Sequence, residues 1–147
     1  MSARTALIVR VGLVFLAVSG ALVGLWAGLA PRSFYDDFPG LGRSWVSVDG
    51  PYNEHLVRDV GWLNLTLVVL TVWAAVTLSR TLVIAVLVGW LVTSVPHLMY
   101  HAFNLDGLST GDSVAEIVAL AFSPALVCAL LVLIARDDGQ TAADRGA

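Results

Sequence analysis

The chain has 147 residues, 58% of them hydrophobic and only 13% charged, with a mean hydropathy of +0.84 and a formal net charge of −3. That composition excludes a soluble globular domain, which needs far more polar surface at this size, and the acidic balance argues against nucleic acid as a partner. Four stretches, Val11 to Ala30, Val60 to Leu78, Leu82 to about Tyr100 and Val114 to Ala135, are long enough to cross a hydrocarbon layer, which takes roughly 20 apolar residues.

The first helix is expected over about 5–30. Arg4 and Arg10 ahead of it and the small residues of "AGLAP" behind it imitate a secretory signal, but the apolar core is longer than a signal's and Pro31 would follow the cut directly, so it reads as a retained span. Gly20, Gly24 and Gly28 form a G-x-x-x-G-x-x-x-G series that opens one face to close helix packing. That face serves either this chain's own bundle or a second copy or partner membrane protein, and the motif alone does not choose.

Residues 31–52, "PRSFYDDFPGLGRSWVSVDGPY", make the one long connection. Turn formers alternate with Phe34, Tyr35, Phe38, Trp45 and Tyr52, aromatics suited to a membrane interface, so the loop is expected to lie across the bundle end as a lid or as an ordinary aromatic belt. The second helix, about 53–79, starts at Asn53, a good N-cap, with Glu54 in the first turn where the helix dipole favours an acid. The third, about 81–102, is interrupted by Pro96, which frees carbonyls between Gly89 and Thr93. Ser113 and Glu116 read as a capping box opening the fourth, about 113–136, and residues 137–147 read as a disordered tail. Cys128 is the only cysteine, so no intrachain disulfide can form. The expected fold is all-α: a single membrane domain, 1–136, built as a four-helix bundle with one aromatic-rich outer loop.

All eight basic residues are arginines. With the N-terminus inside, Arg4, Arg10, Arg80, Arg136 and Arg145 are cytoplasmic, and only Arg32, Arg43 and Arg58 lie outside. Eight of the eleven carboxylates fall on the other side, making the outer end negative. Both termini are therefore expected in the cytoplasm of a cell-membrane protein.

Aligning the helices by depth brings Asp59, His101 and Glu116 to one level, with His97 and Asn64 a turn deeper and Glu54 and His55 a turn higher. His97 and His101 are spaced i, i+4, as are His55 and Asp59, and Glu54 and Arg58, so each pair shares a helix face. Nitrogen and carboxylate donors without a thiol suit Zn²⁺ first and other divalent transition metals after it. His97 and His101 are the primary candidate ligands, Asp59 and His55 the next, Glu54 and Glu116 outer or alternative ligands, and Arg58 the partner that orients a carboxylate. Two bland readings stand beside this one. The pairs can be local ion pairs with Glu116 as a helix cap, or the cluster can handle protons or hold a small ligand.

"PRSFYDDFPG", "GPYNEHLVRDVGWLNL" and "VPHLMYH" resemble segments of a group of small four-helix membrane proteins of high-GC bacteria that carry PYNEHLxRDVG-like and PHxxYH-like stretches. The resemblance covers most of the chain, residues 31–104 most clearly, and implies the four-helix membrane fold without any assigned activity. The chain has no G-x-S-x-G, H-E-x-x-H, phosphate-binding glycine loop or Cys-x-x-Cys, and three histidines are too few for a histidine-rich di-iron oxygenase. The expectation is an integral membrane protein with a transition-metal-binding cluster at its outer end. The alternatives are an accessory or scaffold subunit whose polar cluster is structural, and a small metal-dependent membrane enzyme.

Overall fold

A computed structural model describes the backbone over residues 1–146 and the side chains other than those of 138 and 140–147. Helix α1 (Ala3–Leu29) leads into the short α2 (Pro31–Asp37), and a two-residue antiparallel ladder, β1 (Pro39–Gly40) with β2 (Arg43–Ser44), follows in the connection. The chain then runs through α3 (Glu54–Thr77), α4 (Arg80–Phe103) and α5 (Thr110–Gly146). The architecture is all-α, and α1, α3, α4 and the Thr110–Asp137 part of α5 are each long and apolar enough to cross a membrane. Both ends of the chain lie at one end of the bundle, called here the termini end. The connection from α1 to α3 and the turn from α4 to α5 lie at the other, the loop end.

Local sequence sets the helix starts. The Asn53 side chain accepts a hydrogen bond from the Leu56 N–H (3.1 Å), the cap expected for α3. Pro31 occupies the first turn of α2, where a missing N–H costs nothing. The start of α5 differs from the expectation. The helix opens at Thr110, and it is Ser109 Oγ that accepts from the Asp112 N–H (3.1 Å), so the cap lies four residues earlier and Glu116 is not part of it. At its far end α5 continues as helix to Gly146. Asp137, the first residue of the expected disordered tail, is buried and accepts from the Ser2 N–H (2.9 Å) and Thr5 Oγ1 (2.8 Å), tying α5 to the start of α1; most of the remaining tail side chains lie outside the described residues.

The glycine face of α1 is spent inside the chain. Gly20, Gly24 and Gly28 are buried against α3, and Gly61 of α3 faces them. A Cβ on Gly61 would stand 2.8 Å from Gly28 Cα and 2.9 Å from Gly24 O, so the two backbones nearly touch. Such closeness allows dispersion contact that longer side chains would prevent. Asn64 adds a bond across the same seam, donating Nδ2–H to Gly20 O (2.9 Å) instead of facing His97.

The principal core fills the termini-end half, where Leu13 and Leu16 of α1, Leu87 and Trp90 of α4, and Leu130 and Ile134 of α5 interdigitate. Trp90 donates its Nε1–H to Thr71 Oγ1 (2.9 Å), giving the buried indole its partner. Helix α4 runs through Pro96 unbroken, and the Thr93 and Ser94 hydroxyls both bond Trp90 O in the turn before it (3.0 and 2.6 Å).

At the loop end a second cluster joins Ala27, Phe34 and Val57 with Trp26 and Phe38. Residues 31–52 lie down over the bundle, as their aromatics led us to expect. Phe34 packs on Phe38 and Trp26, Phe38 meets Trp45, and the Arg32 guanidinium sits over the Tyr35 and Tyr52 rings (5.7 and 5.0 Å). Asp36 bonds Arg32 Nε at 2.6 Å and raises the arginine pKa further, forming an exposed ion pair on the cap. The far side of the cap is latched to α5, where Trp45 Nε1–H and Arg43 Nη1 both donate to Asp112 Oδ1 (3.1 and 2.8 Å).

Candidate functional site: an acid–base pocket at the loop end

The six candidate ligands divide into two groups. On α3, His55 Nε2 stands 3.2 Å from Asp59 Oδ2, with the side chains 87% and 50% exposed, and this is a local i, i+4 pair facing away from the bundle. Glu54 Oε1 accepts from Arg58 Nε (2.8 Å), and Arg58 Nη1 reaches across to Gly28 O (2.6 Å). Arg58 therefore closes the carboxyl end of α1, where a cation complements the free carbonyls. None of these four side chains joins the histidines of α4.

The second group is assembled between α4 and α5. His101 Nδ1 lies 3.0 Å from Glu116 Oε1, and both residues are buried, at 8% and 3% exposure. The depth alignment brings His101 and Glu116 together as observed but also places Asp59 with them, and the Ser113–Glu116 spacing reads as a capping box. The His97 ring lies edge-on to His101 at 4.7 Å, one turn along the same helix face, and Tyr100 flanks His101 at 5.3 Å. His97 is exposed on the surface of α4.

Asp49, an exposed residue, was not among the sequence candidates. It belongs to the cap, and its carboxylate is close enough to act electrostatically on both His97 and Glu116. In sequence it sits in "VDGPY", which reads as a turn and carries no separate signal of a site. The neighbouring Val48 approaches the α4–α5 turn, where a Cβ added to Gly107 would meet it at 3.5 Å, and the Asp112 latch ties the same cap to the start of α5.

No protein family, curated protein or solved structure matches this chain.

The chemistry of the pocket follows from its charge. The Glu116 carboxylate faces the His101 imidazole, with His97 one turn away, and Glu116 Oε2 is fully buried without a hydrogen-bond partner. An uncompensated carboxylate oxygen in a low-dielectric setting is costly, and ionisable groups at membrane depth are usually paired, hydrated or functional. Among the described residues no group of three or more His, Cys, Asp or Glu side chains is already drawn together to hold a metal ion. The His101–Glu116 bond nevertheless selects the nitrogen available to a ligand. A carboxylate on Nδ1 leaves Nε2 as the donor, the arrangement in which a carboxylate orients a metal-binding imidazole.

Proposed function

We propose that this chain is a multi-pass cell-membrane protein, with both termini cytoplasmic, that binds a divalent transition-metal ion in the pocket beneath its outer cap. The observation that carries the reading is the buried His101–Glu116 pair with one carboxylate oxygen unmet, beside a second imidazole, with the Asp49 charge acting on Glu116 from the cap. The pocket is short of positive charge, and imidazole donors favour a transition metal over Mg²⁺ or Ca²⁺. His97 and His101 Nε2 would bind the ion and Asp49 would close on it from the cap, while Glu116 holds His101 in orientation. His55, Asp59 and Glu54 are left to their local pairs. Zn²⁺ is the first ion to test.

A second reading rests on the same short contact. The His101–Glu116 pair can be a structural clasp between α4 and α5, in a protein whose role is that of an accessory subunit. Elemental analysis of the purified chain, after supplementation with Zn²⁺, Cu²⁺, Fe²⁺, Ni²⁺ and Mn²⁺, separates the two. The metal reading expects one bound ion per chain, lost in His97→Ala. A metal-free wild type would leave the clasp.

A further inference from the structure

The surface between α1 and α3 at the termini end carries an apolar groove of about 580 Å³, walled by Val14, Ala17 and Ala21 of α1 and by Val68, Val72 and Ala75 of α3. Arg10 stands at its mouth. From Arg10 to Ala21 the helix rises about 16 Å at 1.5 Å per residue, close to half of a hydrocarbon layer of about 30 Å. The groove thus has the depth of one leaflet, with the cation at the level of that leaflet's boundary.

Arg10 donates Nε–H to Ala75 O (3.0 Å), near the carboxyl end of α3, and this bond holds the guanidinium over the groove. No partner for its two Nη nitrogens is found among the described residues. Four N–H donors at a hydrocarbon boundary need acceptors, and a phosphate offers them in matching geometry. A second copy of this chain fits poorly. Neither α1 between residues 10 and 21 nor α3 between 68 and 76 contains an acid, so a copy packed on this face through those segments would cover the donors without satisfying them.

We propose that this groove binds one phospholipid, with an acyl chain along the valine and alanine walls and the headgroup phosphate bonded to the Nη groups of Arg10. The site is independent of the loop-end pocket. Its test is native mass spectrometry of the full chain, released from detergent after titration with phosphatidylglycerol. The wild type is expected to retain one lipid per chain. Arg10→Gln removes the charge-assisted bonds and should lower occupancy about tenfold, and Ala21→Phe should do so by filling the groove with the arginine intact. Arg10→Lys, which keeps the charge, should retain most of the binding and shows that loss in the glutamine variant is not misfolding. Val132→Phe, on the exposed face of α5, is the neutral control. Equal lipid retention by the wild type, Arg10→Gln and Ala21→Phe would overturn the proposal, as would a lipid-free dimer that Ala21→Phe dissociates.

Discussion

Replacing Gly61 by alanine places one methyl group between two backbones. The added Cβ would lie 2.8 Å from Gly28 Cα and 2.9 Å from Gly24 O, with Gly28 N nearer still, and no side chain can rotate away to make room. Overpacking costs roughly 1–3 kcal/mol in well-packed cores, and an obstacle made of backbone belongs at the upper end. Alanine regains about 1 kcal/mol of helix propensity over glycine, so the net loss should be about 2 kcal/mol. The other glycines should rank below it by what their Cβ would meet. At Gly24 the first obstacle is the Leu65 side chain (2.8 Å), with Gly61 O at 3.1 Å, and at Gly28 it is the Trp62 ring at 3.3 Å. Gly89 of α4 meets only Leu67 Cδ1 at 3.4 Å, an ordinary contact, so Gly89→Ala should be neutral or stabilising by a few tenths of a kcal/mol. Reversible unfolding in mixed detergent micelles, followed by far-UV circular dichroism, measures the series. Equal stability of the Gly61→Ala and Gly89→Ala variants would refute the close α1–α3 crossing.

Three further outcomes are expected. Glu116→Ala leaves His101 without its buried partner and should destabilise the chain by about 3 kcal/mol or more, whereas Asp59→Ala, which breaks an exposed pair, should cost less than about 1 kcal/mol; the same unfolding assay compares them. Single cysteines near residues 45 and 108, in a Cys128→Ser background, should react with an impermeant maleimide in intact cells, and one near residue 80 should react only after lysis. Zn²⁺ binding should weaken on acidification, because a protonated imidazole has no lone pair to donate; titrations at two pH values check this.

Much of the fold was legible because bilayer physics writes itself into composition. The four apolar stretches, the Asn53 cap and the glycine face each follow from a local rule, and each reappears in α1, α3, α4 and α5. The site was only partly legible. Depth counting brought His101 to Glu116, since both lie on long helices with fixed rise. It could not give rotation about the helix axis, and rotation decides that His55 and Asp59 point outward. Asp49 was hidden for another reason: its position depends on how the 31–52 segment folds back, and that is set by the Trp45 and Arg43 bonds to Asp112, which join residues nearly seventy positions apart. The cap of α5 was misplaced because Ser109 and Ser113 both offer a hydroxyl ahead of an acid at the third following position, and the rule cannot rank them.

The ligand assignment is tested most directly by titrating Zn²⁺ into metal-stripped protein in detergent by isothermal calorimetry, comparing the wild type with Asp49→Asn and Asp59→Asn. The account predicts one site per chain, weakened about tenfold or more in Asp49→Asn and unchanged in Asp59→Asn. An absence of heat from the wild type, or a loss confined to Asp59→Asn, would contradict it.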